Sequence, residues 1–232
     1  MESVSANRAQ PQFLIADDHA IFAEALKGYI ERKYPVIGMA ADGRGLIEAA
    51  IKLKPDVIVA DVAMPILNGL DAARRVKEVA PKIKFVFLTM QVDPNLAAAA
   101  LELGPVAFVL KHATGTELFT AIDRVLQGKS YLTPQLKADD WVATRARARQ
   151  FTRELTPRQR EIIQLFAEGR AMKEIAGLLD LSEKTVEFHK HHIMVSFNIK
   201  SNAQLILFAL KRGLISVEPD PSELSTVARQ CV

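Results

Sequence analysis

Five residues with the chemistry to act on phosphorus stand at the ends of short apolar runs. Asp17 and Asp18 follow the run 13–16, Asp61 follows 57–60, Thr89 ends 85–89 and Lys111 follows 106–110. If these runs are parallel strands of one sheet, all five residues meet at a single edge. Carboxylates gathered there would repel and desolvate one another, so the group calls for a cation. An all-oxygen donor set favours Mg2+ over zinc or copper. A carboxylate can accept a phosphoryl group as an aspartyl phosphate, a reaction that depends on positioning and charge neutralisation more than on covalent machinery. Lys111 would meet a phosphoryl oxygen as a point charge, and the Thr89 hydroxyl would hydrogen-bond another. Any one of these residues is ordinary where a strand runs out into solvent; it is their concurrence at one edge that points to chemistry. A phosphohydrolase of the haloacid type would need a second acid two residues after Asp61, and Ala63 stands there.

A second set lies in residues 182–192, Ser-Glu-Lys-Thr-Val-Glu-Phe-His-Lys-His-His. On a period of 3.6, Val186, Ile193 and Phe197 face inward while Lys184, Glu187 and His191 face out. A polar face on the N-terminal half of a helix suits a major groove, and Thr185, Lys190, Lys200 and Arg170 could meet phosphates. A four-helix accessory unit with merely solvated basic residues fits the same pattern. His189 and His192 share a helix face, as zinc ligands would, but no cysteine or carboxylate pattern accompanies them.

The elements that must position these residues can be read from periodicity. The runs 13–16, 36–40, 57–60, 85–89 and 106–110 are continuously apolar, as strands buried on both faces should be. Between and after them, 20–33, 44–53, 69–79, 94–103 and 115–127 carry helical period. Asp93-Pro94, Thr114-Gly-Thr-Glu117, the capping-box pattern Thr156-Pro-Arg-Gln159 and Ser182 before Glu183 read as helix starts. The alternation predicts an α/β fold with a doubly wound five-stranded parallel sheet. From residue 128 the strand pattern stops, and 128–152 reads as a partly helical linker. Four helices then follow, over 157–168, 172–179, 183–197 and 202–212, making a small all-α helix-turn-helix unit over 153–216. Residues 217–232 read as a disordered tail.

Composition agrees with two modest domains. The chain has 232 residues, 49% hydrophobic and 25% charged, which is globular rather than disordered. The lone cysteine, Cys231, excludes an internal disulfide framework and a Cys-rich zinc site. No apolar run is long enough for a bilayer and no secretory signal is visible, so a cytoplasmic protein without membrane partners is expected. Residues 1–128 are nearly balanced, with 14 Lys and Arg against 15 Asp and Glu, whereas 129–216 carry 15 against 9. The basic excess suits a polyanion partner.

Residues 12–127 resemble the CheY-like receiver domain of response regulators. The resemblance rests on Asp17-Asp18, on Asp61 followed by Met64-Pro65 and Gly69, on Thr89, and on Phe108 three residues before Lys111. It implies that Asp61 takes a phosphoryl group from a partner histidine kinase, that Asp17, Asp18 and Asp61 hold Mg2+, and that Thr89 and Phe108 form a switch pair. In that family the change is read out on the fourth helix, fifth strand and fifth helix. Met90, His112, Ala107, Ala63 and Gln91 depart from the usual pattern, but none removes a group the reaction needs.

The second half is similar to the LuxR-type helix-turn-helix through Leu155-Thr-Pro-Arg-Gln-Arg-Glu161, Glu168-Gly-Arg170, Lys173-Glu-Ile-Ala176, Leu181-Ser-Glu-Lys-Thr-Val186 and Lys211-Arg-Gly-Leu-Ile215. By that resemblance Lys184, Glu187, Phe188 and His191 face bases, Thr185 and Lys200 meet phosphates, and the last helix serves dimerisation. Val195-Ser-Phe-Asn198 departs from it, lacking the usual basic residue and glycine, although Asn198 can take the left-handed cap. Receiver plus this domain is the architecture of NarL/FixJ-type regulators. It implies a promoter-binding transcription regulator, a homodimer when active, rather than an enzyme. The alternative is a protein-interaction regulator whose helical unit binds DNA weakly or not at all.

Overall fold

A computed structural model of the chain describes residues 10–90, 92–136 and 155–215. Its first half alternates β1 (Phe13–Ala16), α1 (Ala20–Ile30), β2 (Val36–Ala40), α2 (Gly43–Leu53), β3 (Val57–Asp61), α3 (Gly69–Val79), β4 (Lys84–Thr89), α4 (Pro94–Leu101), β5 (Val106–Leu110) and α5 (Gly115–Leu126). The strands pair in parallel in the order β2-β1-β3-β4-β5. Continuous apolar runs are used because successive residues go to opposite faces and both faces are covered. Leu14, Ala16, Ile58, Ala60, Phe85, Phe87 and Phe108 pack with α2, α3 and α4. Phe13, Ile15, Val57, Val59, Val86, Leu88 and Val109 pack with α1 and α5.

Among the described residues the sheet has six strands, not the five expected. Tyr131–Leu132 forms β6, parallel to β5, with Ala107 opposite Tyr131 and Phe108 opposite Leu132. A strand of two residues carries no period, so nothing in the pattern announces it. The Thr133 N–H then donates to the Phe108 carbonyl at 2.9 Å, and a 3-10 turn, Pro134–Leu136, buries Leu136 in the α2–α4 side of the core. Part of the expected linker is therefore sheet. The rest of that linker, including the helix expected to run to about residue 149, and the tail expected over 217–232 lie outside the described residues.

The second half comprises α6 (Pro157–Ala167), α7 (Met172–Leu179), α8 (Glu183–Ser196) and α9 (Asn202–Lys211). Thr156 and Gln159 close the expected capping box on α6, and Ser182 caps α8 through the Thr185 N–H. Each helix is too short to persist alone. They share two small cores, one of Leu155, Ile163, Ile193, Leu205 and Ala209, the other of Ile162, Leu165, Ile175, Leu179 and Val186, with Phe166 packed on both. Asp180 and Asn198 take the left-handed conformation at the ends of α7 and α8, with φ of 54° and 53°. Short polar side chains tolerate that region best after glycine.

Candidate functional site

The strand order reverses direction between β1 and β3, which opens a crevice beyond their carboxyl ends. Asp17 and Asp61 stand in it, each about 3% exposed. Gly69 is required next to them: a Cβ there would come within 2.0 Å of the Asp61 carbonyl oxygen. The first turn of α3 is thus pressed against the backbone of the acidic residue itself. Thr89 ends β4, buried, and Lys111 follows β5 with its N–H donating to the Thr89 carbonyl at 2.7 Å. All five expected residues do meet at one edge.

Lys111 Nζ lies 2.8 Å from Asp17 Oδ2 and 2.8 Å from Asp61 Oδ2. The Ala63 N–H donates to Asp61 Oδ1 at 3.2 Å. Burial pushes the Asp61 carboxyl above its usual range; Lys111 opposes this and Asp17 adds to it. Burial also works against the Lys111 charge, but the Asp61 charge and the close contacts with both acids outweigh it and hold the ammonium above its ordinary value. The Lys111 shift is thus electrostatic, whereas that of Asp61 comes from burial, which Lys111 offsets only in part. Asp17, Asp18, His19 and Asp61 present ligand atoms within 4.8 Å of one another. Asp17 Oδ2 and Asp18 Oδ1 make no hydrogen bond of good geometry, although Lys111 and His19 stand within ion-pair range of them. A net negative group of hard oxygens with unused acceptor capacity fits a hard divalent cation.

Two neighbours were missed in the sequence. The His19 N–H donates to Asp17 Oδ1 at 2.9 Å, and its ring is 3.0 Å from Asp18 Oδ1; its place directly after the acid pair was the available signal. The Phe22 ring lies 4.9 Å from Lys111 Nζ, and helical spacing gives that approach no signature. Phe108 sits fully buried on β5, its ring 6.4 Å from that of Phe87.

In the second half, Lys184, Glu187, Phe188, His191 and Lys200 are exposed, Phe188 at 64%. Val186 and Ile193 are buried and Phe197 is half-buried, as the period requires. Lys190 differs from its neighbours: its ammonium lies 3.9 Å from the centroid of the Phe166 ring, and burial lowers its pKa. Thr185 is half-buried and shares a 2.8 Å hydrogen bond with Ser182.

The two halves touch along one face of α6. Gln164, 1% exposed, accepts from the Asn68 N–H at 2.9 Å and donates to the Met64 carbonyl at 2.9 Å. Arg160 donates from Nε to Asp71 at 2.8 Å, Arg75 pairs with Glu161, and Glu168 accepts from the Ile66 N–H at 3.1 Å. Periodicity is silent on these bonds, since they join segments about a hundred residues apart.

Among known proteins, the model of the response regulator receiver domain matches residues 13–123, and that of the bacterial regulatory proteins of the luxR family matches residues 153–209. The oxygen regulatory protein NreC of Staphylococcus carnosus is 33% identical over 214 residues, covering 88% of this chain and 99% of NreC. NreC of Staphylococcus haemolyticus is also 33% identical, over 218 residues, with the same coverage. Among solved structures, RcsB of Salmonella typhimurium aligns with a TM-score of 0.61 at 26% identity, covering 87% of this chain and 97% of that one. RcsB bound to the rprA promoter with a phosphomimetic aligns at 0.58 and 25% identity, covering 90% of this chain and 100% of that one. These matches support a DNA-binding regulator over the protein-interaction alternative. The chain belongs to the NarL/FixJ-type response regulators, DNA-binding transcription regulators that join a receiver domain to a LuxR-type helix-turn-helix.

Proposed function

We propose that Asp61 is the phosphoacceptor and that its phosphorylation by a partner histidine kinase switches promoter binding by the second half. The observation that carries this is the Lys111 ammonium, 2.8 Å from an oxygen of Asp61 and 2.8 Å from one of Asp17. In the transfer a carboxylate oxygen of Asp61 forms the new bond to phosphorus while the donor's P–N bond breaks and its imidazole leaves. Lys111 is then free to pair with a phosphoryl oxygen, and the Thr89 hydroxyl donates to another. Asp17, Asp18 and Asp61 would hold Mg2+, whose charge, when it is bound, offsets that of the carboxylates and of the incoming phosphoryl oxygens. Phosphoryl transfer to Asp61 and its hydrolysis are the only chemistry we assign to the chain.

On the second half, Lys184, Glu187, Phe188 and His191 form the base-facing side of α8, with Thr185, Lys190 and Lys200 at phosphates. The active form is a homodimer whose two α8 helices read half-sites about 34 Å apart. Among the described residues no helix is long and apolar enough to cross a membrane, and a cytoplasmic location is part of the same proposal. Acetyl phosphate with Mg2+ should label the protein and leave Asp61→Asn unlabelled. Persistent labelling of that variant would reject the site.

A further inference from the structure

The loop that carries Asp61 is also the place where the second half is fastened. Ile66 lies between β3 and α3 at a φ of 69°, a region that a β-branched side chain enters only under constraint. The Leu67 N–H donates to the Pro65 carbonyl at 2.7 Å, which closes a γ-turn of the strained, positive-φ kind around Ile66. The turn aims Ile66 away from its own domain. Its side chain packs on the core of Ile162, Leu165, Ile175, Leu179 and Val186, which holds the helix-turn-helix together. A receiver residue thus completes the packing of the DNA-binding unit.

Polar bonds frame this peg. The Ile66 N–H is held by Glu168, and Gln164 binds backbone on both sides of it, at the Met64 carbonyl and the Asn68 N–H. Only the short loop 62–65 separates Asp61 from the clamped residue. The seam is mostly hydrogen bonds and ion pairs, which water can replace when the halves part, so it is built to open.

Phe108 is fully buried. β6 pairs along β5 beside it, Thr133 bonds its carbonyl, and Leu136 joins the same core. The closed seam, meanwhile, leaves Lys184, Glu187 and His191 exposed, so it is not a lid over the recognition face.

We infer that the Ile66 turn and the Gln164–Glu168 face of α6 form the latch through which the state of Asp61 is passed to the DNA-binding unit, by releasing or holding that unit rather than by covering its recognition helix. This rests on the phosphoacceptor reading of Asp61 and adds the route by which it is read. Coupling is reciprocal, so loosening the latch should also change the pocket.

The test is hydrogen exchange on the full chain for wild type, Ile66→Gly and Gln164→Ala, each with and without beryllofluoride plus Mg2+. Glycine is at home at positive φ, so Ile66→Gly removes the peg without disturbing the turn. Gln164→Ala loosens the same latch from the opposite side, so one misfolded variant does not decide the outcome. Both variants should raise exchange at 66–68 and along α6 at least tenfold while the sheet and α8 stay as protected as in wild type. Beryllofluoride should produce the same rise in wild type and little more in the variants. If it alters exchange at Asp61, Thr89 and Lys111 but leaves 66–68 protected, the pocket reading stands and the latch falls. If the variants leave 66–68 and α6 protected, the latch also falls. If no exchange changes anywhere on adding beryllofluoride, the phosphoacceptor reading falls and the coupling falls with it.

Discussion

Lys111 Nζ is equidistant, at 2.8 Å, from one oxygen of Asp61 and one of Asp17. The ammonium therefore neutralises two buried acids at once. Removing it leaves both uncompensated, a situation that costs about 3–5 kcal/mol for a fully buried pair. Lys111→Met should therefore be destabilised at pH 8, and less so as pH falls and Asp61, whose carboxyl is held above its usual range, takes up a proton. On the alkaline side, the raised Lys111 pKa means that its contribution is held up to the ordinary value of 10.5 and fades as pH rises through the folded value. Urea midpoints of both proteins across pH check this. A penalty independent of pH would mean that the amine packs but does not neutralise.

Asp61 is the strained member of the pocket. Burial and the Asp17 charge hold its carboxyl above the usual range despite Lys111. A group whose folded pKa is raised in this way destabilises the fold when ionised, and the penalty is relieved as pH falls through the folded value. Asp61→Asn removes the charge and keeps the shape. Without Mg2+ it should be more stable than wild type at pH 7 by about 1 kcal/mol, a few degrees in Tm for a chain of this size. Added Mg2+ should raise the Tm of wild type and not that of the variant. A variant less stable than wild type under both conditions would show that the Lys111 pairing outweighs the repulsion.

The first half was legible because its strands are buried on both faces: a run such as Val57–Asp61 is apolar throughout and ends on the residue that matters. The pocket was legible for the same reason, since its residues come at the ends of such runs. Helix starts at Asp93, Thr156 and Ser182 were marked by their capping side chains. Thr114 caps as expected, but Glu117 turns to Thr133 instead of closing the box, because β6 brings Thr133 near. β6 escaped notice at two residues. The seam between the halves escaped entirely: Asp71, Arg160 and Gln164 look like solvated helix residues until the other domain is laid upon them.

Recognition by α8 should separate into two classes of variant. Lys184→Ala and His191→Ala, at exposed positions, should weaken cognate promoter binding and relax sequence preference, by about 1–3 kcal/mol for each base left without its side-chain partner. Lys200→Ala should weaken cognate and random DNA alike and reduce the slope of log affinity against log salt by about 1. Lys190 already packs on Phe166, so Lys190→Ala should cost DNA affinity less than Lys200→Ala and fold stability more. Fluorescence anisotropy with cognate and scrambled duplexes at several salt concentrations distinguishes these cases. Equal losses on both duplexes for Lys184→Ala would remove it from the base-facing side.

The Arg160–Asp71 pair tests whether the seam belongs to a rigid core. Both residues are buried, and Asp71 is also held by Arg74 at 2.5 Å and by Asn68 Nδ2 at 2.9 Å. Burial lowers the Arg160 pKa in spite of Asp71, so the guanidinium depends on its partner while the halves are closed. Inside a core that cannot open, Asp71→Ala would cost about 3–5 kcal/mol. Here the stranded Arg160 can regain water if the halves part, and it keeps its bond to the Leu155 carbonyl at 2.9 Å. The penalty is therefore capped at the free energy of opening. Urea unfolding followed separately in each half should show midpoints close to wild type for both, together with a larger hydrodynamic radius in native buffer. A drop in the midpoint of the second half by the full buried-pair value, with an unchanged radius, would mean that the domains are welded rather than docked.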